Sequence, residues 1–302
     1  MRSLLVFGSI NLDLVIRVPR LPQPGETLMG GALRLAPGGK GANQAHAAAR
    51  YGVPVRLAGA VGDDDFAGIA LAGLQHGAVD LRAVRRLRGA ATGVATIHVA
   101  DDGENAIVVS PGANEAPCAD WIGAQGAADT SVLLLQMEVP AAQSLALARR
   151  VKGCGGRVLW NLAPAHGLAG LDTACIDWLV VNRHELQALA ASRGLEAPTP
   201  EACIERVAAA TGCTVIATLG AQGALACTPS GARGTAAALP VAVCDTTGAG
   251  DTFCGVLAAA FHEGAGLDDA LAHATAAASL ACRQHGVQAA QPTRAEIEGA
   301  VR

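Results

Sequence analysis

Aromatic side chains, charged side chains and long apolar runs are all scarce in this sequence. Aromatic residues make up 3% of the 302 residues and charged residues 16%, while 51% are hydrophobic. That balance excludes an intrinsically disordered chain, which needs few apolar residues and many charges. The 22 Lys and Arg residues against 26 Asp and Glu residues give a net charge of −4. With neither a basic excess nor a basic stripe, we expect no binding to nucleic acid.

No apolar stretch approaches the ~18 residues that a membrane helix needs, so we expect no membrane span. The first apolar run stops at Gly8, too early for a secretion signal, and we expect a cytoplasmic protein. The nine cysteines are odd in number and include no C-x-x-C pair. The sequence therefore suggests neither a disulfide framework nor a zinc site, and we expect most cysteines to be buried.

Two nucleotide-binding fingerprints are also missing. The chain contains no G-x-x-x-x-G-K-[ST] segment and no G-x-G-x-x-G segment after a strand. The second absence argues against a nicotinamide-dependent oxidoreductase on an α/β sheet.

Short β-branched or Leu-rich runs alternate with longer Ala-rich runs of helical spacing. The strand-like runs are 4–10, 55–60, 132–136, 157–161, 178–181 and 214–218. The helix-like runs are 42–51, 67–76, 141–151, 183–191, 200–211, 251–263 and 267–284. This alternation predicts an α/β fold, a doubly wound and mostly parallel sheet flanked by helices.

Two regions interrupt the alternation. Residues from about 13 to 37 are rich in Pro and Gly around short strand-like pieces, and 93–109 reads as two strands joined by Asp101-Asp102-Gly103, a hairpin signal. We expect residues 13–37 and 93–113 to form a small antiparallel β lid. No linker or internal repeat divides the chain, so residues 1–302 are predicted to form one domain with this lid.

The segment Asp245-Thr246-Thr247-Gly248-Ala249-Gly250-Asp251-Thr252-Phe253 is the most informative. It runs from a predicted strand end at 241–244 into a helix that begins near Asp251. Glycines at a helix entrance let backbone amides converge on one anion, and the helix dipole is positive there. A carboxylate beside such a pocket suits proton abstraction or a metal. The same residues also fit a plain turn followed by an N-cap aspartate.

A second glycine-rich loop, Gly38-Gly39-Lys40-Gly41-Ala42-Asn43-Gln44, opens another helix. Lys40 and Asn43 offer donors for hydroxyls or an anion, although a flexible turn with a solvated lysine fits as well. Upstream, Asn11 and Asp13 lie on one side of an extended backbone and suit vicinal sugar hydroxyls. Turn chemistry at a strand end is the alternative for this pair.

Polar residues also follow two predicted strands, at the sheet edge where open α/β sheets bind ligands. Glu138 follows 132–135, so its carboxylate would enter the crevice. Asn182 and Glu185 follow 178–181 and are one helical turn apart. This pair suits phosphate oxygens or metal-bound waters, and a surface capping pair is the alternative.

Short polar and glycine-rich segments follow one another along essentially the whole chain: Gly8-Ser9-Ile10-Asn11-x-Asp13, Pro24-Gly25-Glu26-Thr27, Gly38 to Gln44, Gly62-Asp63-Asp64, Gly93-Val94-Ala95, Pro111-Gly112-Ala113-Asn114, Gln136-x-Glu138-x-Pro140, Asn161-x-Ala163-Pro164-Ala165, Asn182-x-x-Glu185, Thr218-Leu219-Gly220 and Asp245 to Asp251. In this order they resemble the ribokinases, in the PfkB group of carbohydrate kinases. The combination is far more specific than any one segment.

The resemblance implies a ribokinase-like sheet with a β lid, a homodimer formed through that lid, and ATP-dependent phosphorylation of D-ribose at O5 to D-ribose 5-phosphate. It implies Asp251 as the base that takes the C5 hydroxyl proton, with the Gly248, Ala249, Gly250 and Asp251 backbone as the anion hole. The implied sugar contacts are Asn11, Asp13, Gly39, Lys40, Asn43, Glu138 and Asp251.

The resemblance also implies sites for ATP, Mg²⁺ and K⁺. The nucleotide-side positions are Asn182, Glu185, Thr218, Gly220, Gly223, Gly250 and Thr275, with Asn182 and Glu185 associated with Mg²⁺ and phosphate. The K⁺ positions are Asp245, Thr247, Ala281, Gln284, Gly286 and Ala290. Two residues depart from the family pattern: Ala290 replaces a common hydroxyl residue, and Thr275 replaces a common His or Asn at the adenine contact.

Two other functions stay open at this point. The first keeps the reaction but changes the acceptor to another sugar or a nucleoside, as in a fructokinase-like enzyme or a nucleoside kinase. The second is a non-catalytic sugar or nucleotide sensor on the same scaffold. Asp251 within a complete Gly-Ala-Gly-Asp segment argues against the sensor, because a pure binder needs no base.

Overall fold

The strands form a nine-stranded sheet A and a four-stranded sheet B in the computed structural model, which describes residues 2–77, 79–168 and 170–301. In chain order they are β1 (Ser3–Phe7), β2 (Asn11–Val18), β3 (Arg34–Gly38), β4 (Val55–Gly62), β5 (Asp80–Leu87), β6 (Gly93–Ala100), β7 (Asn105–Ser110), β8 (Thr130–Leu135), β9 (Arg157–Asn161), β10 (Trp178–Asn182), β11 (Thr214–Thr218), β12 (Ala224–Cys227) and β13 (Arg233–Ala236).

The α-helices are α1 (Lys40–Tyr51), α2 (Asp65–His76), α3 (Gly123–Ala128), α4 (Ala141–Gly153), α5 (Arg183–Ala191), α6 (Pro200–Thr211), α7 (Ala249–His262), α8 (Leu267–Ala281) and α9 (Arg294–Val301). Within the described ranges, none of them combines the length and the apolar character that crossing a bilayer requires.

Sheet A has the order β13-β12-β11-β10-β9-β8-β1-β4-β5. The pairs from β11 to β5 are parallel, and β12 and β13 add an antiparallel edge. From β1 the chain first builds outward through β4 and β5, and then returns to build the other half from β8. The sheet therefore has its topological switch point between β1 and β8, where open α/β sheets form a ligand crevice.

Helices cover both faces of sheet A. Leu4 and Val6 of β1 pack into a core with α1, α2, α7, α8 and α9, while Leu5 and Phe7 pack into a second core with α3, α4, α5 and α6. Strands buried on both faces have continuous apolar sequences, which explains why 132–135 shows no alternation. The predicted doubly wound sheet is confirmed.

Local capping signals account for the helix boundaries that the sequence predicts best. The Thr199 side chain accepts a hydrogen bond from the Ala202 amide and Pro200 follows at the first helical position, while Gly212 ends α6 in the left-handed conformation at φ 70°. Each of these residues acts within one turn of the helix end, so 200–211 is read correctly from sequence.

Sheet B has the order β3-β2-β6-β7. It is formed by the two regions that interrupt the α/β alternation. The predicted hairpin at 101–103 joins β6 to β7, which pair antiparallel. The expectation of a wholly antiparallel lid needs one correction, because the central pair β2 and β6 is parallel. These two strands are separated in sequence by β3 to β5, so no hairpin turn constrains their direction.

Three other sequence expectations differ from the structure. Residues 241–244 form no strand; the Cys244 amide donates instead to the Cys282 carbonyl at 2.8 Å. The first strand ends at Phe7 rather than residue 10, because Asn11 already pairs in sheet B. β5 was not predicted, since its exposed Arg82, Arg85 and Arg86 hide the strand period at the edge of the sheet.

We predict that Gly255 in α7 is required for the close packing of α7 on α1. A Cβ at this position would lie 2.4 Å from the Gln44 carbonyl oxygen and 2.7 Å from Ala47 Cβ. Gly255→Ala should therefore lower the free energy of unfolding by about 1–3 kcal/mol, measured by urea denaturation. The matched control is Gly68→Ala in α2, where a Cβ would meet nothing within 4 Å. It should stabilise by about 0.4–1 kcal/mol, and equal effects of the two changes would contradict the packing argument.

Candidate active site

The first turn of α1 is tied to the carboxyl ends of both strands at the switch point. Ser9, just after β1, donates its hydroxyl to Glu138 Oε2 at 2.5 Å, and Glu138 follows β8. The same Oε2 accepts the Lys40 amide at 3.1 Å, and Ser9 Oγ accepts the Gly41 amide at 3.3 Å. The crevice expected from the strand order is thus lined by Glu138 and by the glycine-rich start of α1.

Asn11 and Asp13 bring sheet B to this crevice. Both lie on β2 and both are buried. Asn11 Oδ1 accepts a hydrogen bond from the Asn114 side chain at 2.7 Å. A Cβ at Gly38 would lie 2.1 Å from Asp13 Oδ1, so only glycine leaves room for this carboxyl group. Gly39 has φ 88°, and a Cβ there would lie 2.7 Å from the Asn11 backbone nitrogen.

Asp251, in the first turn of α7, is held by two amides of α1. Its Oδ2 accepts from Asn43 Nδ2 at 3.1 Å and its Oδ1 accepts from Gln44 Nε2 at 3.0 Å. The side chain is only 8% exposed. A buried carboxylate with a donor on each oxygen has a fixed orientation, which is what a positioned general base requires.

The pKa of Asp13 is raised by its position in the crevice. Burial, followed by the negative charges of Glu138 and Asp251, raises the pKa of Asp13 to about 7, against a smaller opposing effect of Lys40. Conversely, the nearby carboxylates, Asp251 first, raise the pKa of Lys40 despite its burial. The ammonium group therefore stays charged and is the nearest positive charge to the acidic cluster.

The N-terminus of α7 presents free backbone amides. Gly248 is the N-cap at φ 75°, a conformation that favours glycine, and Val287 Cγ1 would lie 2.2 Å from a Cβ there. The Ala249 amide donates to the Thr246 carbonyl at 3.2 Å. In the described part of the chain the Gly250 and Asp251 amides have no acceptor. These two amides of the predicted anion hole therefore remain available to bind an anion.

Two adjoining cavities bring the predicted nucleotide-side residues together. A cavity of about 130 Å³ is lined by Lys40, Asn161, Asn182, Glu185, Thr218, Gly248, Gly250 and Asp251, among others. A cleft of about 870 Å³ shares Asn182, Thr218 and Gly250 with it and continues along Gly220, Gly223 and Thr275. Asp251 thus lies where the small cavity meets the sugar-side residues, and the large cleft has the volume of a nucleotide-sized ligand site.

Asn182 and Glu185 form a reciprocal capping box at the start of α5. The Asn182 side chain accepts the Glu185 amide at 2.8 Å, and Glu185 Oε2 accepts the Asn182 amide at 2.7 Å. The two side chains therefore cap the helix, as the alternative interpretation of this pair predicts. Glu185 is nevertheless buried, and burial raises the pKa of its carboxyl group, which lines the small cavity beside Asp251.

The oxygen donors of the small cavity fit a magnesium ion shared with a phosphate. Mg²⁺ takes one or two protein carboxylates and completes its shell with phosphates and waters. Among residues 2–77, 79–168 and 170–301, no three His, Cys, Asp or Glu side chains converge on one point. Glu185 would hold such an ion together with substrate oxygens rather than in a protein cage.

Asp245 joins the two loops predicted to hold a monovalent cation. Its carboxylate accepts the Thr247 amide at 2.9 Å and the Gly286 amide at 3.4 Å. Burial favours a raised pKa for Asp245, but these hydrogen bonds outweigh it and lower the pKa. Ala281 and Ala290 are buried and Gln284 is exposed, and none of the three shares a hydrogen bond with Asp245 in the described ranges. The loops fit a site built mainly of backbone carbonyls, the ligands that K⁺ accepts.

Sequence reasoning assigned no role to several polar residues around Asp251. Gln44, Gln136 and Asn161 lie in segments that carry the family resemblance, so their positions were visible but not their contacts. Gln288 and Gln291 carried no signal at all. Both donate to Asn43 from more than 240 residues away, at 3.1 Å and 3.0 Å.

Comparisons with known proteins agree with this geometry. Residues 1–294 match the pfkB family carbohydrate kinase. A ribokinase of Schizosaccharomyces pombe is 35% identical over 99% of this chain and 98% of its own length. A ribokinase structure from Thermotoga maritima has a TM-score of 0.92 and 31% identity, over 100% of this chain and 99% of its own. Arabidopsis thaliana ribokinase complexed with ribose and ATP is similar too, with a TM-score of 0.88 and 30% identity over 100% and 99% of the two chains. The chain therefore belongs to the pfkB family of carbohydrate kinases, enzymes that transfer a phosphoryl group to an alcohol.

Proposed function

We propose that this protein phosphorylates D-ribose at the C5 hydroxyl, with ATP as phosphoryl donor, to give D-ribose 5-phosphate. One observation carries the proposal: Asp251 is buried, held by Asn43 and Gln44, and set at the free amides of α7 between the two cavities and the sugar-side residues. The similarity to ribokinases, one of them complexed with ribose and ATP, supports ribose as the acceptor.

The sugar-side residues combine acceptors and donors in the proportion that a polyol needs. Asp13 and Glu138 accept hydrogen bonds from hydroxyl groups, and Lys40 donates. Asn11 and Asn43 do either, and the absence of a side chain at Gly39 lets the sugar approach the backbone. Because these groups belong to β2, α1 and the end of β8, the sugar would be gripped between sheet B and the switch point.

Asp251 acts as the general base in the transfer. As its carboxylate accepts the C5 hydroxyl proton, the hydroxyl oxygen forms a bond to the γ-phosphorus, and the bond from that phosphorus to the bridging oxygen of ADP breaks. The Gly250 and Asp251 amides, with the dipole of α7, stabilise the charge on the transferring group, with Ala249 and Gly248 shaping the turn. The Lys40 ammonium lies in the same cavity and offsets further negative charge.

The two cations have separate proposed places. Glu185, with Asn182 supporting it, would hold Mg²⁺, which neutralises phosphate charge when bound. Asp245, Thr247 and the carbonyls of the segment 281–290 would hold K⁺ beside the anion hole. Thr218, Gly220, Gly223 and Thr275 would then face the nucleotide along the large cleft.

We further propose a homodimer formed through sheet B, which acts as the lid predicted for residues 13–37 and 93–113. Strand β7 is an edge strand whose Ile107, Val108 and Val109 are exposed, at 51%, 67% and 45%. An exposed apolar edge strand is unfavourable in a monomer and is relieved by pairing. The use of ATP favours the cytoplasm as the location.

The acceptor is tested by a substrate panel. With Mg-ATP, ribose should give a higher kcat/KM than other pentoses, ketohexoses or nucleosides, because a ribose site leaves no room for a base on C1. K⁺ should raise the rate relative to Na⁺ if the Asp245 loops bind it. Phosphoryl transfer is followed by ADP release in a coupled assay. A much higher kcat/KM for fructose or for a nucleoside would overturn ribose as the substrate.

The base is tested by Asp251→Asn. The amide keeps the size of the side chain but cannot take a proton, so kcat should fall by ~10²–10⁴-fold. Ribose binding, measured by calorimetry, should stay within a few fold. Asp269→Asn, an exposed residue in the first turn of α8, is the matched control and should leave kcat unchanged. Unchanged turnover in Asp251→Asn would refute the mechanism.

Ribose affinity should depend on the ionisation of Asp13. Because the pKa of Asp13 is raised to about 7 in the folded protein, the carboxylate that accepts sugar hydroxyls forms only as the pH rises through 7. Ribose should therefore bind more weakly at pH 5.5 than at pH 8.5, and Asp13→Asn should abolish this dependence.

The raised pKa of Asp13 also makes the stability of the protein depend on pH. The folded protein binds the Asp13 proton more tightly than the unfolded chain, so the stability of the free enzyme declines between about pH 4 and pH 7. Asp13→Asn should consequently raise Tm at pH 8 more than at pH 5. Equal changes in Tm at the two pH values would show that Asp13 ionises normally.

A further inference from the structure

Buried amide side chains behind Asp251 form two hydrogen-bonded rows. In one row, Gln136 Nε2 donates to Gln44 Oε1 at 2.7 Å, and Gln44 Nε2 donates to Asp251 Oδ1 at 3.0 Å. In the other, Gln288 Nε2 donates to Asn43 Oδ1 at 3.1 Å, and Asn43 Nδ2 donates to Asp251 Oδ2 at 3.1 Å. Each row ends on a different oxygen of the same carboxylate.

The direction of both rows is dictated by the charge at their end. An ionised carboxylate only accepts hydrogen bonds, so Gln44 and Asn43 must present their NH₂ groups to Asp251. Their oxygens then face outward and need donors, which Gln136 and Gln288 supply. Gln44 and Gln136 are completely buried, so no bulk water can take over when an amide turns round.

Among the described residues, the one at the far end of each row has a carbonyl oxygen without a hydrogen-bond donor. Gln136 Oε1 and Gln288 Oε1 are buried and have no hydrogen-bond partner in the described part of the chain. A Cβ at Gly8 would lie 1.9 Å from the first, and a Cβ at Gly73 would lie 2.2 Å from the second. Two buried carbonyl oxygens without donors destabilise a folded protein. Rotating either terminal amide by 180° would not help, because its carbonyl oxygen would then face the carbonyl oxygen of the next residue in the row.

We propose that Gln44, and Gln136 acting through it, are positioning residues that fix the Asp251 carboxylate and aim it at the acceptor hydroxyl. The inference rests on the proposed role of Asp251 as base. Gln44 also donates to Asn161 Oδ1 at 3.1 Å, and Asn161 in turn donates to the Val180 carbonyl at 3.2 Å. Gln44 is thereby anchored to β9 and β10 as well as to β8, and Asp251 takes its orientation from sheet A.

Other titratable groups face Asp251 from every side and would remain in place in the variants below. They are Asp13 on β2, Lys40 on α1, Glu138 after β8, Glu185 on α5 and Cys254 on α7. A change in pH behaviour that follows a substitution at Gln44 therefore reports the loss of the amide donor and not the loss of a charged neighbour.

The decisive variant is Gln44→Met, which keeps the length of the side chain and removes the amide donor without adding a charge. A carboxylate that loses a hydrogen-bond donor ionises less readily. The acid limb of the kcat profile should move up by about 1 pH unit or more, with KM for ribose changed by less than about threefold. Gln136→Met removes the donor that orients Gln44 and should lower kcat by roughly 10-fold or more, again with little change in KM.

Gln143→Met is the matched control. Gln143 on α4 likewise makes one hydrogen bond, to the Ala119 amide at 3.0 Å, but on the opposite face of sheet A. Its loss should leave the pH profile in place. Thermal unfolding of all three variants separates a loss of fold from a loss of positioning, because a merely structural role for Gln44 would lower Tm without moving the acid limb.

A readout without turnover separates this inference from the proposed function. In protein labelled with ¹³C at aspartate carboxyl groups, the Asp251 signal is assigned by its loss in Asp251→Asn, and its titration midpoint should move to higher pH in Gln44→Met, where a donor is lost and no charge is added. Should the wild type phosphorylate no sugar while this midpoint moves, the positioning inference stands and the proposed function fails. Should the wild type phosphorylate ribose while both glutamine variants keep its kcat, KM and pH profile, the positioning inference is wrong.

Discussion

The contact between the first turns of α1 and α7 is the constraint on which the candidate active site depends. The two helices approach closely because Gly255 has no side chain, and this brings Asn43 and Gln44 to the carboxylate of Asp251, more than 200 residues away in the sequence. Both helices belong to one buried core on one face of sheet A. The orientation of the Asp251 carboxylate is therefore a property of core packing and not of a surface loop.

The charge of the site follows from the same arrangement. Asp13, Glu138, Glu185 and Asp251 surround the single ammonium group of Lys40, so a bare polyphosphate would meet more negative than positive charge. In the proposed site, neutral backbone amides at α7 would bind phosphate without adding to the charge balance, and a divalent cation on the phosphates would reverse the sign of the interaction. The proposed arrangement would thus let a protein with a net charge of −4 bind ATP.

Sequence reasoning succeeded where the determining residues are local. The bounds of α5 and α6 were read correctly because Asn182, Glu185, Thr199 and Pro200 act within one helical turn. It failed at 241–244, where the Cys244 amide donates to the Cys282 carbonyl, a contact distant in sequence that no local signal reports. Residue chemistry alone pointed to Asn11 and Asp13 as sugar ligands, whereas Thr218, Gly220, Gly223 and Thr275 came only from the family resemblance. Gln288 was missed because its role exists only through Asn43, a contact across 245 residues.

The structure separates the parts of the site that must stay fixed from those that can vary. The base, its amide partners and Glu138 are held by α1, α7 and the strands at the switch point, each of which shares buried contacts with the others. Thr275 lines the large cleft but not the small cavity, and Ala290 lies in the segment whose Gly286 amide donates to Asp245. Under the proposed function, a substitution at either position would alter a ligand contact without moving Asp251. The two departures from the family pattern thus fall where the fold tolerates change, since the proposed geometry of proton transfer is set by residues on other elements.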